Sequence, residues 1–219
     1  MIKVQKNFSY RCIELDKIKR MVDIIGSLTG LIIFSPIFLG VSYLIYKEDK
    51  GPVFFVQERS GKDNISFKIY KFRSMKVDNK IIGDSVSPYE KWKDKVPDDF
   101  IFKTAENNNP NITKIGSFIR KTSIDELPQL YNVLIGNMSL IGPRPEIIEI
   151  TKKYDSEQLR RLEVKPGITG WAQVNGRSDI NHGQKIKYDL EYIDNRNLKL
   201  EIEIFIKTIV QVLKKKGSV

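Results

Sequence analysis

A long run without a charged side chain, from Ile24 to Tyr46, constrains this chain more than any other feature of its sequence. A helix rises about 1.5 Å per residue, so the run is long enough to cross the roughly 30 Å hydrocarbon core of a bilayer. It is too long for a cleaved signal peptide, and no small-residue cleavage site follows it. We therefore expect a membrane helix here. A buried core helix of a soluble protein is the alternative.

The middle of the run carries Ser35 and Pro36. Proline removes one helical hydrogen bond and clashes with the preceding turn, so we expect a bend there, and the Ser35 hydroxyl can satisfy part of the freed backbone. Positive residues prefer the cytoplasmic side of a membrane, and they flank both ends of the run: Lys17, Lys19, Arg20, Lys47, Lys50 and Arg59. This symmetry favours a re-entrant helix that dips in and returns, with a straight span as the alternative. Asp23 lies one turn from Lys19 and Arg20, and a local ion pair is expected.

The charge balance of the whole chain favours an anionic partner. The 219 residues carry a formal net charge of +10, which suits a lipid headgroup surface, a nucleotide diphosphate or nucleic acid. Cys12 is the only cysteine, so an intrachain disulfide is impossible. His182 is the only histidine, and we expect it to be a solvated loop residue, which leaves acid–base chemistry to carboxylates or lysines. The sequence has no glycine-rich phosphate loop, paired-cysteine metal site, internal repeat or nucleic-acid module.

Two adjacent carboxylates, Asp125 and Glu126, stand where a helix is expected to begin. Ser123 and Glu126 fit a capping box, and Asp125 as N-cap, with Pro128 in the first turn, is equally plausible. Helical spacing predicts one buried face, formed by Leu127, Leu130, Tyr131 and Leu134, and a helix end at Gly136. On this interpretation the acidic pair is structural.

The surroundings of the acidic pair favour a chemical role instead. Lys71 and Arg73 precede it, Arg120 lies just upstream and Arg144 follows. Carboxylates among cations can hold Mg²⁺ and meet phosphate oxygens, and a positioned aspartate can attack phosphorus to form an acyl phosphate. Lys71 and Arg73 are a candidate phosphate clamp, although such a pair at a strand end is usually only solvated.

The rest of the chain predicts an α+β fold. Gly51-Pro52 ends the apolar helix, and residues 53–57 and 66–72 form a β-hairpin around a loop at 61–64. A long polar loop covers 77–111, with a short helix at 89–95, and further helices are expected at 146–161 and 184–195. From Leu198 the apolar residues keep helical spacing up to Lys214-Lys215-Lys216, which favours an amphipathic helix on a membrane surface over a core-packed helix. Trp171 either stacks on a flat ring or packs in the core.

Seven motifs in order give this sequence a family resemblance. They are Lys19-Arg20 with Asp23, Ser35-Pro36, Gly51 to Arg59, Lys71 to Met75, Ser123 to Leu130, Ser139 to Pro145 and Lys165 to Trp171. Together they resemble the bacterial sugar transferases, the monotopic polyprenyl-phosphate phosphoglycosyl transferases. The resemblance covers about residues 17–213, and the length matches the minimal catalytic form without an extra membrane bundle.

The resemblance implies a fold and a reaction. Residues 1–50 would form the N-terminal segment and re-entrant helix, and 51–219 a catalytic domain on the cytoplasmic face of the bacterial inner membrane. The family moves a sugar-1-phosphate from a UDP-sugar to undecaprenyl phosphate, with Mg²⁺ required and UMP released. Downstream glycosyltransferases are possible partners, and nucleic acid is not expected.

The resemblance also assigns roles to single residues of this chain. Asp125 would be the nucleophile, and Glu126 its neighbour that binds Mg²⁺ or aids proton transfer, so both are candidate metal ligands. Substrate contacts would come from Lys71, Arg73, Arg120, Arg144, Gln57, Arg59 and Asp189. The chain departs from the family at Asn111, at Asn137 and over about 80–109, which leaves the donor sugar open.

Three alternatives to this reaction remain open. In a single displacement Asp125 would act only as a metal ligand. The chain could also be a membrane-tethered binding protein for acidic glycan or nucleic acid, or a scaffold for a glycan-assembly complex.

Overall fold

The computed structural model describes residues 2–76, 92, 95–101, 110–176 and 180–214, with side chains from Leu15 onward. The helices are α1 Ile2–Ile33, α2 Ser35–Glu48, α3 Lys114–Lys121, α4 Gln129–Leu134, α5 Ile148–Thr151, α6 Ser156–Leu159, α7 Trp171–Asn175, α8 His182–Asn195 and α9 Leu198–Leu213. The strands are β1 Phe54–Ser60, β2 Ser66–Phe72, β3 Ser139–Ile141 and β4 Gly167–Thr169. The α+β class is therefore confirmed. The predicted loop 77–111 and short helix 89–95 fall largely outside the described residues, as do Lys215 and Lys216.

The charge-free run folds as two helices that bend by 58° where α1 meets α2. Ser35 begins α2 and donates to the Ile32 carbonyl oxygen at 2.8 Å, and Pro36 lies in the first turn, where its missing N–H does no harm. Within the described residues no single helix is long and apolar enough to cross a bilayer, whereas the bent pair reaches both limits together. The predicted break is present, and insertion into a membrane stays a prediction.

Asp23 ties α1 to the strand β3. Its side chain is 3% exposed and accepts hydrogen bonds from the Leu140 N–H at 2.8 Å and the Ser139 hydroxyl at 3.0 Å. The predicted ion pair with Lys19 and Arg20 is therefore wrong. Buried polar groups need partners, and the edge of β3 offers Asp23 two donors that the sequence spacing does not reveal.

The two cations of the same turn bind other elements. Lys19 pairs with Glu201 of α9 at 2.5 Å. Arg20 donates to the carbonyl oxygens of Val133 and Leu134, at 2.7 and 2.8 Å, and so covers the end of α4. A cation at a helix C-terminus also complements the helix dipole. Three polar residues in one turn of α1 therefore anchor it to three different elements.

Both strand pairs are short. The predicted hairpin is confirmed as β1 and β2, antiparallel from Phe54 opposite Phe72 to Ser60 opposite Ser66, so its first arm is longer than expected. A parallel pair, β3 with β4, joins Ser139 to Gly167 and was not expected from the sequence. The two pairs are separate sheets, and helices connect them.

The helices of the C-terminal half match the predicted helices only in part. The expected helix at 184–195 is confirmed as α8, and α9 is a helix as predicted. The expected helix at 146–161 is wrong, because it is broken into α5, α6 and a 3-10 turn at Arg160–Leu162; Asp155 starts a new capping box with Gln158. The prediction of a solvated His182 is also wrong, since it is fully buried at the start of α8, and burial lowers its pKa to about 3.

The contacts of Asp23 predict a stability effect. Asp23→Ala leaves the buried Ser139 hydroxyl and the partly buried Leu140 N–H without their acceptor, which should lower the free energy of unfolding by about 1–3 kcal/mol. Thermal unfolding in detergent measures this loss. Asp16→Ala is the matched control, because Asp16 is an exposed partner of Arg196 at 2.9 Å and should cost at most about 1 kcal/mol. Equal losses in the two variants would contradict the proposal that Asp23 holds α1 on β3.

Candidate active site

The acidic pair lies in a 3-10 turn, Ile124–Glu126, between α3 and α4. Ser123 precedes the turn with a left-handed backbone, φ 56°, and makes no side-chain cap. Helix α4 begins only at Gln129, with Pro128 as its N-cap residue. Both capping interpretations are therefore wrong, and neither carboxylate is engaged in starting a helix.

The buried face of α4 also differs from the expected one. Tyr131 is 47% exposed, and the helix buries Gln129, Leu130, Asn132 and Val133. The Asn132 amide explains the rotation: its Oδ1 accepts from the Tyr70 N–H at 3.0 Å and its Nδ2 donates to the Lys68 carbonyl oxygen at 2.7 Å. This side chain docks α4 on β2 and brings Lys71 to the acidic pair.

Glu126 is clasped by two cations. Its Oε1 lies 2.8 Å from the Lys71 Nζ and 2.6 Å from the Arg144 Nη2, and its Oε2 lies 3.4 Å from the Arg144 Nη1. Burial favours the neutral acid, but the charges and hydrogen bonds of Arg144 and Lys71 outweigh it and hold the pKa of Glu126 well below its usual range. Glu126 is therefore a permanent anion that fixes both cations.

Asp125 has a different environment. Its carboxylate forms no hydrogen bond or ion pair with the residues that the structure describes. Burial, and then the charge of Glu126, raise its pKa to about 6 against the opposing charges of Lys71, Arg144 and Arg120. An unpaired, partly buried carboxylate beside cations is suited to nucleophilic attack on a phosphate that those cations hold.

The structure does not bring Arg73 to this cluster. Arg73 is 6% exposed, and its guanidinium pairs with the Asp49 carboxylate at 3.2 Å and donates to the Asp49 carbonyl oxygen. Lys71 and Arg73 therefore do not form one phosphate clamp. Arg120, in the last turn of α3, opposes through its charge the rise that burial causes in the pKa of Asp125, and its contact with a substrate phosphate stays a prediction.

Arg144 is held out from a buried segment. Gly142, Pro143, Pro145 and Glu146 are all buried, whereas Arg144 is exposed. The Gly142 N–H bonds the Thr169 carbonyl oxygen at 2.8 Å, and a Cβ on Gly142 would collide with the Lys165 carbonyl oxygen, so only glycine permits this approach to β4. The buried residues on either side of Arg144 fix its backbone, and its guanidinium reaches Glu126.

A buried ionic network, which the sequence did not reveal, holds the segment around Arg144 in place. Arg161, 1% exposed, donates to the Arg144 carbonyl oxygen at 3.0 Å and pairs with Asp189 at 2.7 Å and Glu146 at 3.2 Å. Lys185 also pairs with Glu146, at 2.7 Å. Burial opposes ionisation of Glu146, but Lys185 and Arg161 lower its pKa to about 2. The only sequence signal was a run of charges at helical spacing, which is typical of a solvated face.

One of the predicted substrate contacts, Asp189, belongs to this network, and two others, Arg59 and Gln57, are bonded to each other on β1. Asp189 is fully buried and pairs with Arg161, so the structure does not bring it to the acidic pair. On β1, Arg59 donates to Gln57 at 2.6 Å, and its charge lowers the pKa of Glu146, which places it beside the network. The roles of these residues in substrate binding stay predictions.

The carboxylates of Asp125 and Glu126 differ in how well they can bind a metal ion. Within the described residues no group of three or more His, Cys, Asp or Glu side chains could hold one. Mg²⁺ is often bound by one or two carboxylates plus substrate phosphates. The unpaired carboxylate of Asp125 fits such a site, whereas Glu126 fits only if it releases part of its contact with Arg144 or Lys71. Mg²⁺ at this site stays a prediction.

Trp171 lies apart from these groups. Its ring is packed with the buried side chains of Val174, Tyr192 and Ile204, and the Lys207 Nζ lies 4.3 Å from the ring centroid. These contacts favour core packing, strengthened by a cation–π contact, over stacking on a ligand.

Comparison with known proteins places the chain in a family. The family model described as bacterial sugar transferase matches residues 15–215. The chain is 43% identical to the galactosyl transferase CpsE of Streptococcus agalactiae over 91% of its own length, and 38% identical to the undecaprenyl-phosphate galactose phosphotransferase of Salmonella typhimurium over 100%. It spans less than half of these two relatives, 43% and 44%. It is 35% identical to the exopolysaccharide production protein ExoY of Rhizobium meliloti, over 91% of this chain and 87% of ExoY.

The chain therefore belongs to the bacterial sugar transferase family. This confirms the resemblance drawn from the seven motifs. The seven motifs fall within the matched residues, and the acidic pair with its two bonded cations, Lys71 and Arg144, lies among them.

The two carboxylates predict opposite effects on stability. The pKa of Asp125 rises from 3.8 to about 6 on folding, so its ionisation destabilises the fold as pH rises through that interval, by ~3 kcal/mol when complete. In EDTA, Asp125→Asn should raise the unfolding temperature at pH 7.5 and change it little at pH 4. Glu126→Gln should lower it at pH 7.5, and the loss should shrink as pH falls below 4.5, because the pKa of Glu126 is lowered. Parallel pH curves for the two variants would contradict this assignment.

The Arg161 network predicts the behaviour of Asp189. Asp189→Ala breaks a fully buried ion pair and should lower the free energy of unfolding by about 3–5 kcal/mol, measured by chemical denaturation. Asp194→Ala removes the exposed partner of Arg160 and should cost at most about 1 kcal/mol. If Asp189 were a substrate contact, its loss would raise the KM for the donor and leave stability unchanged.

Proposed function

We propose that this protein transfers a sugar-1-phosphate from a UDP-sugar to undecaprenyl phosphate through a covalent intermediate on Asp125. The observation that carries the proposal is the asymmetry of the acidic pair. Glu126 is neutralised by Lys71 and Arg144, while Asp125 beside it is unpaired and has a pKa of about 6. At pH 7.5 most Asp125 side chains are ionised, so a nucleophile stands beside cations that can receive a diphosphate.

The first step forms the intermediate. A carboxylate oxygen of Asp125 attacks the sugar-bearing phosphorus, the bond from this phosphorus to the UMP oxygen breaks, and UMP leaves with the electron pair. Lys71, Arg144 and Arg120 act by charge, since phosphoryl transfer depends mainly on positioning and neutralisation. Mg²⁺, if held by Asp125 together with phosphate oxygens, would neutralise the charge of the diphosphate donor and of the UMP that leaves it.

The second step regenerates the enzyme. A phosphate oxygen of undecaprenyl phosphate attacks the same phosphorus, and the bond from phosphorus to the Asp125 oxygen breaks with its electron pair returning to the carboxylate. The products are the diphosphate-linked lipid sugar and free Asp125. The names of two relatives support this donor and acceptor chemistry: the Salmonella galactose phosphotransferase and the N-acetylgalactosaminephosphotransferase of Aeromonas hydrophila, which is 40% identical over 90% of this chain.

The acceptor requires a site at a membrane surface. The bent helix pair exposes large apolar side chains, and so does α9: Met21, Ile25, Ile32, Leu39, Tyr43, Ile202, Phe205, Ile206 and Leu213. Apolar surface of this extent suits contact with lipid. We infer that α1 and α2 re-enter the membrane from the cytoplasmic face, that α9 lies on it, and that the product begins surface glycan synthesis.

The proposal predicts a burst without acceptor. With a UDP-sugar alone, the protein should release about one UMP per chain and gain the mass of one sugar phosphate on Asp125. UDP-galactose and UDP-N-acetylgalactosamine are the first donors to test. Asp125→Asn should lower the rate of UMP release at least about a thousandfold, ~4 kcal/mol of barrier. Full turnover with acceptor but no burst and no adduct without it would establish a single displacement instead.

A further inference from the structure

The segments that carry the acidic pair and its cations pack against α2, the second helix of the bent pair. Val41 and Ile45 of α2 form one buried cluster with Phe72 of β2 and Ile119 of α3, and Ile124 packs against it. We call these five residues the anchor cluster. Each member outside α2 adjoins a residue of the site in sequence: Phe72 follows Lys71, Ile119 precedes Arg120, and Ile124 precedes Asp125.

Glu48, the last residue of α2, binds the start of α3. Its Oε1 accepts from the Lys114 N–H at 2.6 Å and its Oε2 from the Ile115 N–H at 2.8 Å, while Thr113 caps the Gly116 N–H at 2.8 Å. The first N–H groups of a helix have no partner within the helix. Helix α3 therefore receives most of its N-terminal cap from another element, and that element is the helix expected in the membrane.

Asp49, the residue after Glu48, binds the segment that carries Lys71. Asp49 pairs with Arg73, two residues after Lys71, and Gly51 has φ 157° where the chain turns against this guanidinium. A Cβ on Gly51 would lie 2.7 Å from the Arg73 Nη1. Adjacent carboxylates at the end of α2 thus hold two separate segments, one that leads to Asp125 and one that carries Lys71.

We propose that Glu48 is a positioning residue of the transfer reaction, which sets the place of Asp125 relative to Lys71 through α3. This inference rests on the proposed function. Helix α3 is a single rigid element of eight residues between the Glu48 contacts and the turn that bears Asp125. A shift of its first turn is therefore carried to the nucleophile, and misplacement by about 1 Å can cost about a hundredfold in rate.

The test separates positioning from folding by comparing rate with amplitude. Glu48→Gln keeps the size of the side chain but offers one acceptor oxygen where two N–H groups need one each. In a donor-only burst we expect the first-order rate of UMP release to fall about 10- to 100-fold, with the amplitude per folded chain and the donor KM within about threefold of the unmodified protein. Glu48→Asp, which keeps both acceptor oxygens, should recover part of the rate. Glu203→Gln, at an exposed pair with Lys207 in α9, is the matched control and should change neither quantity.

A second measurement does not depend on catalysis. Hydrogen exchange at the amides of Lys114 and Ile115 should accelerate at least tenfold in Glu48→Gln, while exchange in α4 stays unchanged. An unchanged burst rate, or a reduced amplitude at normal rate, would overturn the positioning role. Failure of the proposed function itself would appear separately, as no burst in the unmodified protein with any donor.

Discussion

The ion pairs of Glu126 with Lys71 and Arg144 are the interaction on which the rest of the site depends. The three residues come from a strand, a 3-10 turn and a loop that are far apart in sequence, and two buried side chains hold these segments together. Asn132 docks α4, which follows the turn, on β2, and Arg161 holds the segment of Arg144. These supports keep the charges of Glu126, Lys71 and Arg144 paired, and the loss of one partner would leave a partly buried charge unpaired, which is costly.

The same pairing divides the work between two identical functional groups. Glu126 takes the cations and stays ionised, while Asp125, next to that negative charge and partly buried, is left as the carboxylate with the raised pKa. Environments that push the pKa values of neighbouring carboxylates apart are a general way to give them separate roles. An incoming diphosphate would compete with Glu126 for Lys71 and Arg144. Without substrate, Glu126 therefore holds Lys71 and Arg144 in the positions that the proposed reaction needs.

Local patterns in the sequence predicted the elements that local chemistry determines. Pro36 bends the apolar run, alternation identifies the hairpin, and helical spacing identifies α8 and α9. Features that depend on tertiary partners were missed. Asp23 was expected to pair within its own helix, yet its partners lie on β3. No pattern in the sequence indicated that Glu146 pairs with Lys185 of α8 and Arg161 of a 3-10 turn. The acidic pair and its cations Lys71 and Arg144 were identified from adjacent charges in the sequence, and the family motifs also contain them. Arg161, Asn132 and Glu48 act through contacts that one sequence does not display.

The position of the site follows from these tertiary contacts. Every segment that carries a proposed catalytic or phosphate-binding group is joined to the bent helix pair or to an element bound to it: Lys71 and Arg120 through the anchor cluster, and Arg144 through β3, which Asp23 of α1 holds. A lipid phosphate lies at a fixed depth in a membrane, and a soluble nucleotide sugar arrives from the aqueous side. The reaction we propose needs its nucleophile at that depth. The bent helix pair, which is hydrogen-bonded to the start of α3 and packs against Ile124 beside Asp125, would set that depth more closely than a flexible tether to a separate domain.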